Sequence, residues 1–394
     1  MLYLAIPTGA FHGWGVCGRY LAKELSALGR VALLTEPFDV TEVGDELDYR
    51  LLRGLLRSQE PHQPVEAPVL QAVFHAEMLP YRPGLRGRFN VGYTFFENNL
   101  LTARQVDNLR ERLDLVVAGS RFCEEVLRDQ GLSVVTTVLQ GVDTTIFHPA
   151  HPGKEYLRDS FVVFSGGKFE FRKGQDLVIR AFKTLQDRHR DVLLMNCWYN
   201  CWPASLATMQ LSRHIRFAPS PDGYLGMIAQ VLGDNRIDLE RVVTLLPRPN
   251  VMMARIYRNT DVGLFPNRCE GGTNLVLMEY MACGKPAIAS FNSGHRDVLT
   301  PANSILIRGS RPIALREGDR NVAEWQEPDL EETIALLEWA YQHRDQLQGV
   351  GAQAARDMTM LSWRRAAEHF HRLLSGAPAG LTGALSAVPA EGSA

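Results

Sequence analysis

The sequence predicts an α/β fold made of two domains, each a parallel β-sheet with helices on both faces. Short apolar runs alternate with helical stretches from one end of the chain to the other, a pattern typical of parallel sheets. These runs are apolar at successive positions, which indicates strands that are buried on both faces. At 394 residues, the chain is also long for a single domain of about 150 residues, so two domains are expected.

The first unit of this pattern lies at the start of the chain. Residues 2–6 predict a strand, residues 8–18 a glycine-bearing loop, and residues 19–28 a helix that ends at Gly29. The next strand is predicted at residues 31–35. Further strands are predicted at residues 69–74, 113–118, 134–139, 161–165, 192–196, 262–266 and 287–290.

A boundary between the two domains is predicted near residue 150. Residues 147–153 contain Pro149, His151, Pro152 and Gly153 and show neither helical nor strand periodicity. The strand at residues 161–165 then opens the second domain. Residues 376–394 are rich in Ala, Gly, Pro and Ser with almost no charge, and we expect this tail to be disordered.

The composition excludes several classes of protein. Lys plus Arg total 42 and Asp plus Glu total 44, a net charge of −2, whereas a nucleic-acid-binding protein needs an excess of basic residues. No apolar run approaches the ~20 residues of a transmembrane helix, and residues 1–7 lack the basic start and long apolar stretch of an export signal. The six cysteines are scattered, with no metal-binding spacing around Cys197 and Cys201. We therefore expect a cytoplasmic protein that binds neither nucleic acid nor metal.

The most informative segment runs from residue 266 to residue 286. It is typical of a strand end, a loop containing Gly271 and Gly272, and a helix that begins after Thr273 or Asn274. A helix that opens from a glycine loop at the carboxyl edge of a sheet presents free N–H groups and the positive end of its dipole to an anion. The segment therefore predicts a phosphate-sized binding site.

Two carboxylates flank this site. Glu270 precedes the glycine loop and Glu279 lies inside the helix. Carboxylates accept strong hydrogen bonds from sugar and ribose hydroxyls. The pattern therefore indicates a ligand that carries both a phosphate and a sugar.

Residues 270–286 resemble the paired-glutamate motif of retaining glycosyltransferases with two Rossmann-like domains (the GT-B type), glycosyltransferase family 4 in particular. The usual form of the motif is E-G-x-G-L-x-x-x-E-A-M-A-x-G-x-P, and residues 281–286, M-A-C-G-K-P, match its end. Eight residues separate Glu270 from Glu279, where seven are usual, and the extra residue falls in the loop of residues 271–274.

A second segment, residues 164–176, resembles the G-R-x-x-x-x-K-G-x-D element that opens the second domain in the same family. Lys168 stands where the family usually has Arg, and Lys173 matches its Lys. The resemblance implies that both cations face the diphosphate of the donor, where negative charge builds up as the sugar bond breaks.

The resemblance assigns the donor site to the second domain. Glu279 would bind the ribose hydroxyls, and Glu270, as a catalytic residue, the hydroxyls of the transferred sugar beside the anomeric carbon. Enzymes of this family need no metal ion or cofactor, because cations and the helix end stabilise the diphosphate. The other donor-binding residues would be Gly271, Gly272, Thr273, Asn274 and Leu275.

In the first domain, residues 11–18 resemble the glycine loop that lies across the cleft from the donor in this family. Its candidate site residues are Gly13, Trp14 and Gly15. Glu97 follows a strand whose end carries a cleft His in many family members and a Glu in others, which makes Glu97 the second candidate catalytic residue. His75, at the end of the strand at residues 69–74, is the competing candidate.

The resemblance extends over about residues 2–375. Residues 140–143, Q-G-V-D, resemble the hinge between the domains, and residues 361–367 the C-terminal helix that crosses back onto the first domain. The expected acceptor domain therefore comprises residues 1–150 plus about 356–375, and the nucleotide-sugar domain residues 151–355. The cleft would lie between them at the carboxyl ends of the strands.

The function expected from the resemblance is transfer of a sugar, with retention at the anomeric carbon, from a nucleotide-diphosphate donor to a hydroxyl acceptor in glycan or glycolipid assembly. One alternative is a protein that binds such a donor without transferring it, because Lys168 and the longer glutamate loop depart from the family pattern. Another is a dinucleotide-dependent oxidoreductase, since Gly13, Gly15 and Gly18 have the G-x-G-x-x-G spacing and Glu36 ends the second strand.

A further hypothesis is that arginines of the first domain make peripheral contact with the cytoplasmic face of a membrane. Such charges also occur on ordinary solvated surfaces. The arginines are Arg50, Arg53 and Arg57 among leucines, followed by Arg82, Arg86 and Arg88.

Overall fold

The computed structural model describes residues 1–57, 64–150, 153–200, 202–220 and 222–376. It contains two mainly parallel sheets, each packed between helices, and a separate two-stranded hairpin. The predicted fold class, two facing α/β domains with a C-terminal helix that returns to the first, is confirmed. The tail predicted to be disordered, residues 376–394, lies outside the described residues except for Gly376.

The first sheet is parallel except for one short strand. Its strands are β1 (Leu2–Ala5), β2 (Val31–Leu33), β3 (Val65–Phe74), β4 (Leu79–Pro80), β5 (Gly87–Thr94), β6 (Leu115–Ala118) and β7 (Val135–Thr137). Their order is β2-β1-β3-β5-β6-β7, and β4 pairs antiparallel with β3. In the centre of the sheet, Tyr3 lies opposite Ala32 on one side and Val69 on the other. These strands are apolar on both faces because helices cover both faces.

The helices of the first domain are α1 (Gly13–Leu28), α2 (Val40–Val43), α3 (Glu46–Leu55), α4 (Ala103–Arg112) and α5 (Arg121–Asp129). The prediction of a loop up to residue 18 was wrong, because α1 begins at Gly13. The helix starts early because the ring of His12 accepts the backbone N–H of Gly15, which satisfies one of the free donors of its first turn.

The second sheet is parallel throughout. Its strands are β8 (Phe161–Gly166), β9 (Val192–Cys197), β10 (Val242–Thr244), β11 (Val262–Phe265), β12 (Ala287–Ser290) and β13 (Ile305–Ile307). Their order is β10-β9-β8-β11-β12-β13. The helices of this half are α6 (Gln175–Arg188), α7 (Pro203–Ala207), α8 (Gly223–Asp234), α9 (Met253–Arg258), α10 (Leu275–Ala282), α11 (Leu330–Gln342) and α12 (Arg344–Thr359).

The chain crosses between the domains twice at one place. Val142 donates its N–H to the carbonyl of Leu361 at 2.7 Å, so the outgoing and returning segments run side by side. A Cβ on Gly141 would lie 2.2 Å from the backbone nitrogen of Trp363, which explains why only glycine fits there. The last helix, α13 (Trp363–Ser375), then packs into the core of the first domain, where Trp363 stacks on Tyr20.

An antiparallel hairpin follows the second sheet and was missing from the sequence prediction. Its strands are β14 (Ser310–Glu317) and β15 (Arg320–Pro328). Alternating polar and apolar residues around the turn sequence E-G-D-R are a hairpin signal that could have identified it. No helix within the described ranges combines the length and the apolar character needed to cross a membrane.

Candidate active site

The two motif loops of the second domain leave adjacent strands at the same edge of the sheet. Strands β8 and β11 pair in parallel, with Val163 opposite Val262. The loop after β8 carries Lys168 and Lys173, and the loop after β11 carries Glu270. Because the carboxyl ends of parallel strands meet at one edge, the loops lie together. Lys173 Nζ is 2.6 Å from Glu270 Oε1.

Glu270 is buried between cations. Arg172 Nη1 lies 3.0 Å from its Oε2, and the amide of Asn267 donates to its Oε1. Its backbone N–H donates to Ser293 Oγ at 2.7 Å. Burial by itself would raise the pKa of Glu270, but the charges of Lys173 and Arg172 outweigh it and hold the pKa at about 2. The carboxylate is therefore ionised, and its oxygens are engaged by donors.

Arg172 joins three carboxylates and was missed by the sequence analysis. Besides Glu270, its guanidinium pairs with Glu170 at 2.6 Å and with Glu97 at 3.3 Å. It also donates to the carbonyl of Cys269 at 2.9 Å. The available signal was a basic residue directly before Lys173. Since Glu97 belongs to the first domain, Arg172 joins a carboxylate of the first domain to the two motif loops of the second.

Lys168 occupies the rim of the same cluster. Its Nζ lies 3.2 Å from Glu170 Oε2 and 5.0 Å from the centre of the Trp202 ring, and about a third of its side chain is exposed. His12 of the first domain faces the same ring. Burial, followed by the nearby charge of Lys168, lowers the pKa of His12. Lys168 therefore stands where the two domains meet at the mouth of the cleft.

Helix α10 begins as the sequence predicted, with Asn274 as its N-terminal cap. Asn274 has a φ of 62°, and its Oδ1 accepts the N–H of Leu277 at 3.4 Å. Its Nδ2 donates to Nε2 of His295 at 3.1 Å, and His295 Nδ1 donates to the carbonyl of Ser290 at 3.0 Å. Burial lowers the pKa of His295 to about 4, so the ring is neutral and fixes the Asn274 side chain. Thr273 is buried and directs its hydroxyl to the sulfur of Met278.

The glycine loop is packed against the first domain. A Cβ on Gly271 would lie 2.4 Å from the carbonyl oxygen of Phe96, and one on Gly272 would lie 2.8 Å from Gln140 Oε1. Ser120 Oγ donates to the carbonyl of Gly271 at 2.7 Å. The side chain of Leu275 contacts the apolar core of the first domain. The predicted donor-binding loop is therefore also a contact between the domains.

Glu279 lies apart from the cluster around Glu270. Its carboxylate accepts hydrogen bonds from Asn250 Nδ2 at 3.0 Å and from the Tyr257 hydroxyl at 3.4 Å. Asn250 is in turn contacted by the buried Arg19 of the first domain at 3.4 Å. Burial raises the pKa of Glu279 to about 8. The two glutamates therefore have opposite electrostatic environments.

The glycines of the first-domain motif differ in their roles. Gly13 opens α1, and nothing would lie within 4 Å of a Cβ there. The backbone N–H of Gly15 donates to His12 Nδ1, and a Cβ on Gly15 would make a tight contact of 3.0 Å with the backbone of Gly9. Trp14 packs on Phe95, with ring centres 4.5 Å apart. The loop is thus a packed helix start that is exposed at Gly13.

Of the two competing candidates in the first domain, the structure brings only Glu97 to the cluster. His75 is exposed at the end of β3, and its backbone carbonyl accepts from the Gln105 side chain. Glu97 follows β5 and reaches Arg172. The geometry favours Glu97.

A second buried charge network supports the glutamate loop from behind. Arg268 is fully buried, makes two 2.8 Å contacts with Asp176, and lies 3.0 Å from Glu327 of β15. Glu327 also pairs with His214 at 2.8 Å. Arg268 stands two residues before Glu270, so the network fixes the start of that loop. Within the described ranges, no group of three or more His, Cys, Asp or Glu side chains could hold a metal ion.

Comparison with known proteins agrees with this architecture. Residues 226–318 match the family described as Glycosyl transferases group 1. A D-inositol 3-phosphate glycosyltransferase of Xylanimonas cellulosilytica is 26% identical over 216 residues, which cover 51% of this chain and 46% of that protein. The match thus spans about half the length of this curated relative.

Two solved structures share the fold over nearly the whole chain. Sucrose-phosphate synthase from Thermosynechococcus elongatus has a TM-score of 0.66 at 14% identity, with 94% of this chain and 97% of that chain covered. The HepE protein of Anabaena in complex with UDP-glucose has a TM-score of 0.62 at 13% identity, with coverages of 95% and 99%. The chain therefore has the GT-B fold, and residues 226–318 in its second half match a glycosyltransferase family.

Proposed function

We propose that the protein transfers a sugar from a nucleotide-diphosphate donor to a hydroxyl acceptor with retention at the anomeric carbon. The observation that carries this proposal is the charge cluster at the domain junction. Arg172 and Lys173 pair with Glu270, and Arg172 also pairs with Glu97 of the first domain. Lys168 extends the cluster through its pair with Glu170. The Anabaena protein with UDP-glucose bound supports the donor class.

The cations are suited to a diphosphate. Lys173 and Arg172 are neutralised by Glu270, and Arg172 also by Glu170 and Glu97. A diphosphate would compete for the same two cations. Their transfer to phosphate oxygens would release Glu270 to accept hydrogen bonds from the hydroxyls of the donor sugar. Phosphate binding and sugar binding would then be coupled through one carboxylate.

The position of Glu97 supports retention. In the reaction, the bond from the anomeric carbon to the phosphate oxygen breaks, a bond to the acceptor oxygen forms, and the acceptor proton passes to the leaving phosphate or to Glu97. Retention requires the acceptor to approach from the face that the diphosphate leaves. Because Glu97 pairs with Arg172, an acceptor hydroxyl bound to Glu97 would lie on the diphosphate side. Glu270 would stabilise the positive charge that develops on the sugar.

Glu279 would bind the ribose of the donor at its separate position, apart from the cluster around Glu270. Its present donors are Asn250 and Tyr257, and ribose hydroxyls would take the place of one or both. Because the ribose would be bound equally in the ground state and the transition state, loss of this contact would raise the KM for the donor more than it lowers kcat. The Gly13 end of α1 would face the donor across the cleft, as the family resemblance implies.

The structure gives less support to the two alternative functions, donor binding without transfer and dinucleotide-dependent oxidoreduction. A protein that binds the donor without transferring the sugar would not need a carboxylate such as Glu97 beside Arg172. The oxidoreductase hypothesis rested on Gly13, Gly15 and Gly18, of which Gly15 and Gly18 are needed for packing: a Cβ on Gly18 would lie 2.0 Å from the carbonyl oxygen of Pro7. The family match in the second domain favours sugar transfer.

A donor screen tests the proposal. The protein is incubated with UDP-, GDP-, ADP- and CMP-sugars, and both donor hydrolysis and thermal stabilisation are measured. We expect one diphosphate donor to be hydrolysed or transferred, and proton NMR of the product to show the anomeric configuration of the donor. Binding without turnover of any donor would favour the non-transferring alternative, and an inverted product would refute retention.

We also propose peripheral contact between the first domain and an anionic membrane. On α3, Leu47 is 78% exposed, Leu51 is exposed one turn later, and Arg50 and Arg53 lie on the same exposed part of the helix. A glycolipid acceptor would require such contact. Co-sedimentation with vesicles containing phosphatidylglycerol should exceed that with neutral vesicles and fall in the Leu47→Asp variant; equal sedimentation would refute the contact.

A further inference from the structure

The hairpin of the second half of the chain is bound to the first domain beside Glu97. The backbone N–H of Leu100 donates to the carbonyl of Val322 at 3.1 Å. Asn99 exchanges two hydrogen bonds with the backbone of Glu324, at 3.2 Å and 2.8 Å. Residues 97–100 therefore lie against β15, although they follow β5 of the other sheet.

Trp325 makes the contact nearest to the reaction centre. Its indole Nε1–H donates to the backbone carbonyl of Glu97 at 2.8 Å. The ring is buried in a small apolar cluster with Phe171, Cys269 and Ala323. Phe171 directly precedes Arg172, and Cys269 directly precedes Glu270. One side chain thus contacts the segments that carry all three members of the Glu97–Arg172–Glu270 group.

The other end of β15 is held by the second domain. Gln326 donates its N–H to the carbonyl of Arg268 at 3.1 Å, and Glu327 pairs with the Arg268 guanidinium. The pair between Glu327 and Arg268 is buried and charge-assisted, so β15 has a fixed place relative to the donor loop. The strand is therefore a rigid support against which residues 97–100 of the first domain lie.

We propose that Trp325 is a positioning residue that holds Glu97 at Arg172 for sugar transfer; the inference rests on the proposed function of Glu97. Glu97 lies in an irregular segment, and a quarter of its side chain is exposed. Without the indole bond, its backbone would be free to move away from Arg172. Because Trp325 acts through Glu97, it affects the transfer step and leaves donor binding intact.

The test is Trp325→Phe, which removes the N–H donor and keeps an aromatic ring in the cluster. We expect kcat for transfer to fall about tenfold or more, because a misplacement of about 1 Å in a catalytic group costs up to 10²-fold. The KM for the donor should change by less than about twofold. The matched control is Trp339→Phe on α11, a half-buried tryptophan whose ring stacks on His343 outside the cleft, and it should leave both constants unchanged.

A double-mutant cycle separates positioning from general stability. In a Glu97→Gln background, Trp325→Phe should cause no further loss of kcat, since the group that it positions is already inactive. The same fold loss in both backgrounds, or an unchanged kcat in the single variant, would overturn the inference. Asn99→Ala, which removes the paired bonds to Glu324, is a second variant for the case that Trp325→Phe lowers the melting temperature. The kcat of Asn99→Ala should also fall. A wild-type kcat in Asn99→Ala would count against the inference. Wild-type kcat in Glu97→Gln itself would instead refute the catalytic role of Glu97 in the proposed function, and with it this inference.

Discussion

The most informative perturbation is Glu270→Gln, which removes a charge while keeping the shape of the side chain. Among the described residues, Glu270 is the carboxylate that pairs with Lys173, whereas Arg172 keeps Glu170 and Glu97 when Glu270 is neutralised. The substitution therefore leaves one buried cation, Lys173, without its counter-charge. It also removes the carboxylate that we place beside the anomeric carbon.

Both effects have an expected size. Loss of one electrostatic group at a developing charge lowers kcat by about 10²-fold, which corresponds to about 2.7 kcal/mol. Breaking a buried ion pair by removing one partner costs ~3–5 kcal/mol. We expect about 3 kcal/mol here, the lower end of that range, because Arg172 remains paired. The variant should therefore be both slower and less stable than the parent.

The assay combines steady-state kinetics with chemical denaturation. The control is Glu338→Gln, which removes a carboxylate that pairs with Arg188 and His189 at the surface and should cost less than about 1 kcal/mol with kcat unchanged. Kinetics are measured well below the melting temperature of the variant, so that a loss of folded protein does not lower kcat. Wild-type kcat in Glu270→Gln would refute the role given to Glu270 and transfer the catalytic assignment to Glu97.

Three further predictions follow from the same site. Lys173→Ala should weaken nucleoside-diphosphate binding by about 2 kcal/mol, roughly 30-fold, with nucleoside binding unchanged in titration calorimetry. The matched control is Lys183→Ala, a half-buried lysine of α6 that pairs with Asp187. Equal diphosphate affinity in the Lys173 variant and the parent would remove Lys173 from the site. Sugar transfer should persist in EDTA, because cations and the start of α10 stabilise the diphosphate; loss of transfer that Mn²⁺ or Mg²⁺ restores would contradict this. Burial raises the pKa of Glu279 to about 8, above the ~4.3 of an unfolded Glu. The folded protein is therefore stabilised by the protonated form of Glu279: this contribution is fully present below pH ~4.3 and is lost as the pH rises to about 8. The melting temperature should then fall less between pH 5 and pH 9 in Glu279→Gln than in the parent, and identical pH profiles would show that Glu279 is not the titrating group.

The sequence was sufficient to predict the fold and part of the site because both depend on local patterns. Consecutive apolar runs identified strands such as β8 and β12 to within a residue. The glycine loop and cap pattern placed the start of α10 after Thr273 or Asn274, and the structure has Asn274 as the cap. Two loops that leave neighbouring parallel strands must meet, so the contact between Lys173 and Glu270 follows from topology once the strand order is known.

What the sequence could not predict are contacts between segments far apart in the chain. Arg172 looks like one more surface cation until Glu97 and Glu270 are placed around it. Asn250 lies 29 residues before Glu279 and more than 200 after Arg19, yet it contacts both. No local periodicity encodes such contacts, since they depend on how the two domains close on one another.

The longer glutamate loop shows how a departure from a family pattern is accommodated. The extra residue lies in a loop that is held on both sides: Gly271 and Gly272 fit against Phe96 and Gln140 of the first domain, and a Cβ on Gly294 would lie 1.8 Å from the carbonyl oxygen of Gly272. Glu270 lies in the loop after β11, in contact with Lys173. The added length therefore lies in the contact between the domains and does not separate Glu270 from its cations. Glu97 of the first domain pairs with the same Arg172 as Glu270, so the glutamate loop and the first domain meet at the charge cluster on which the proposed sugar transfer rests.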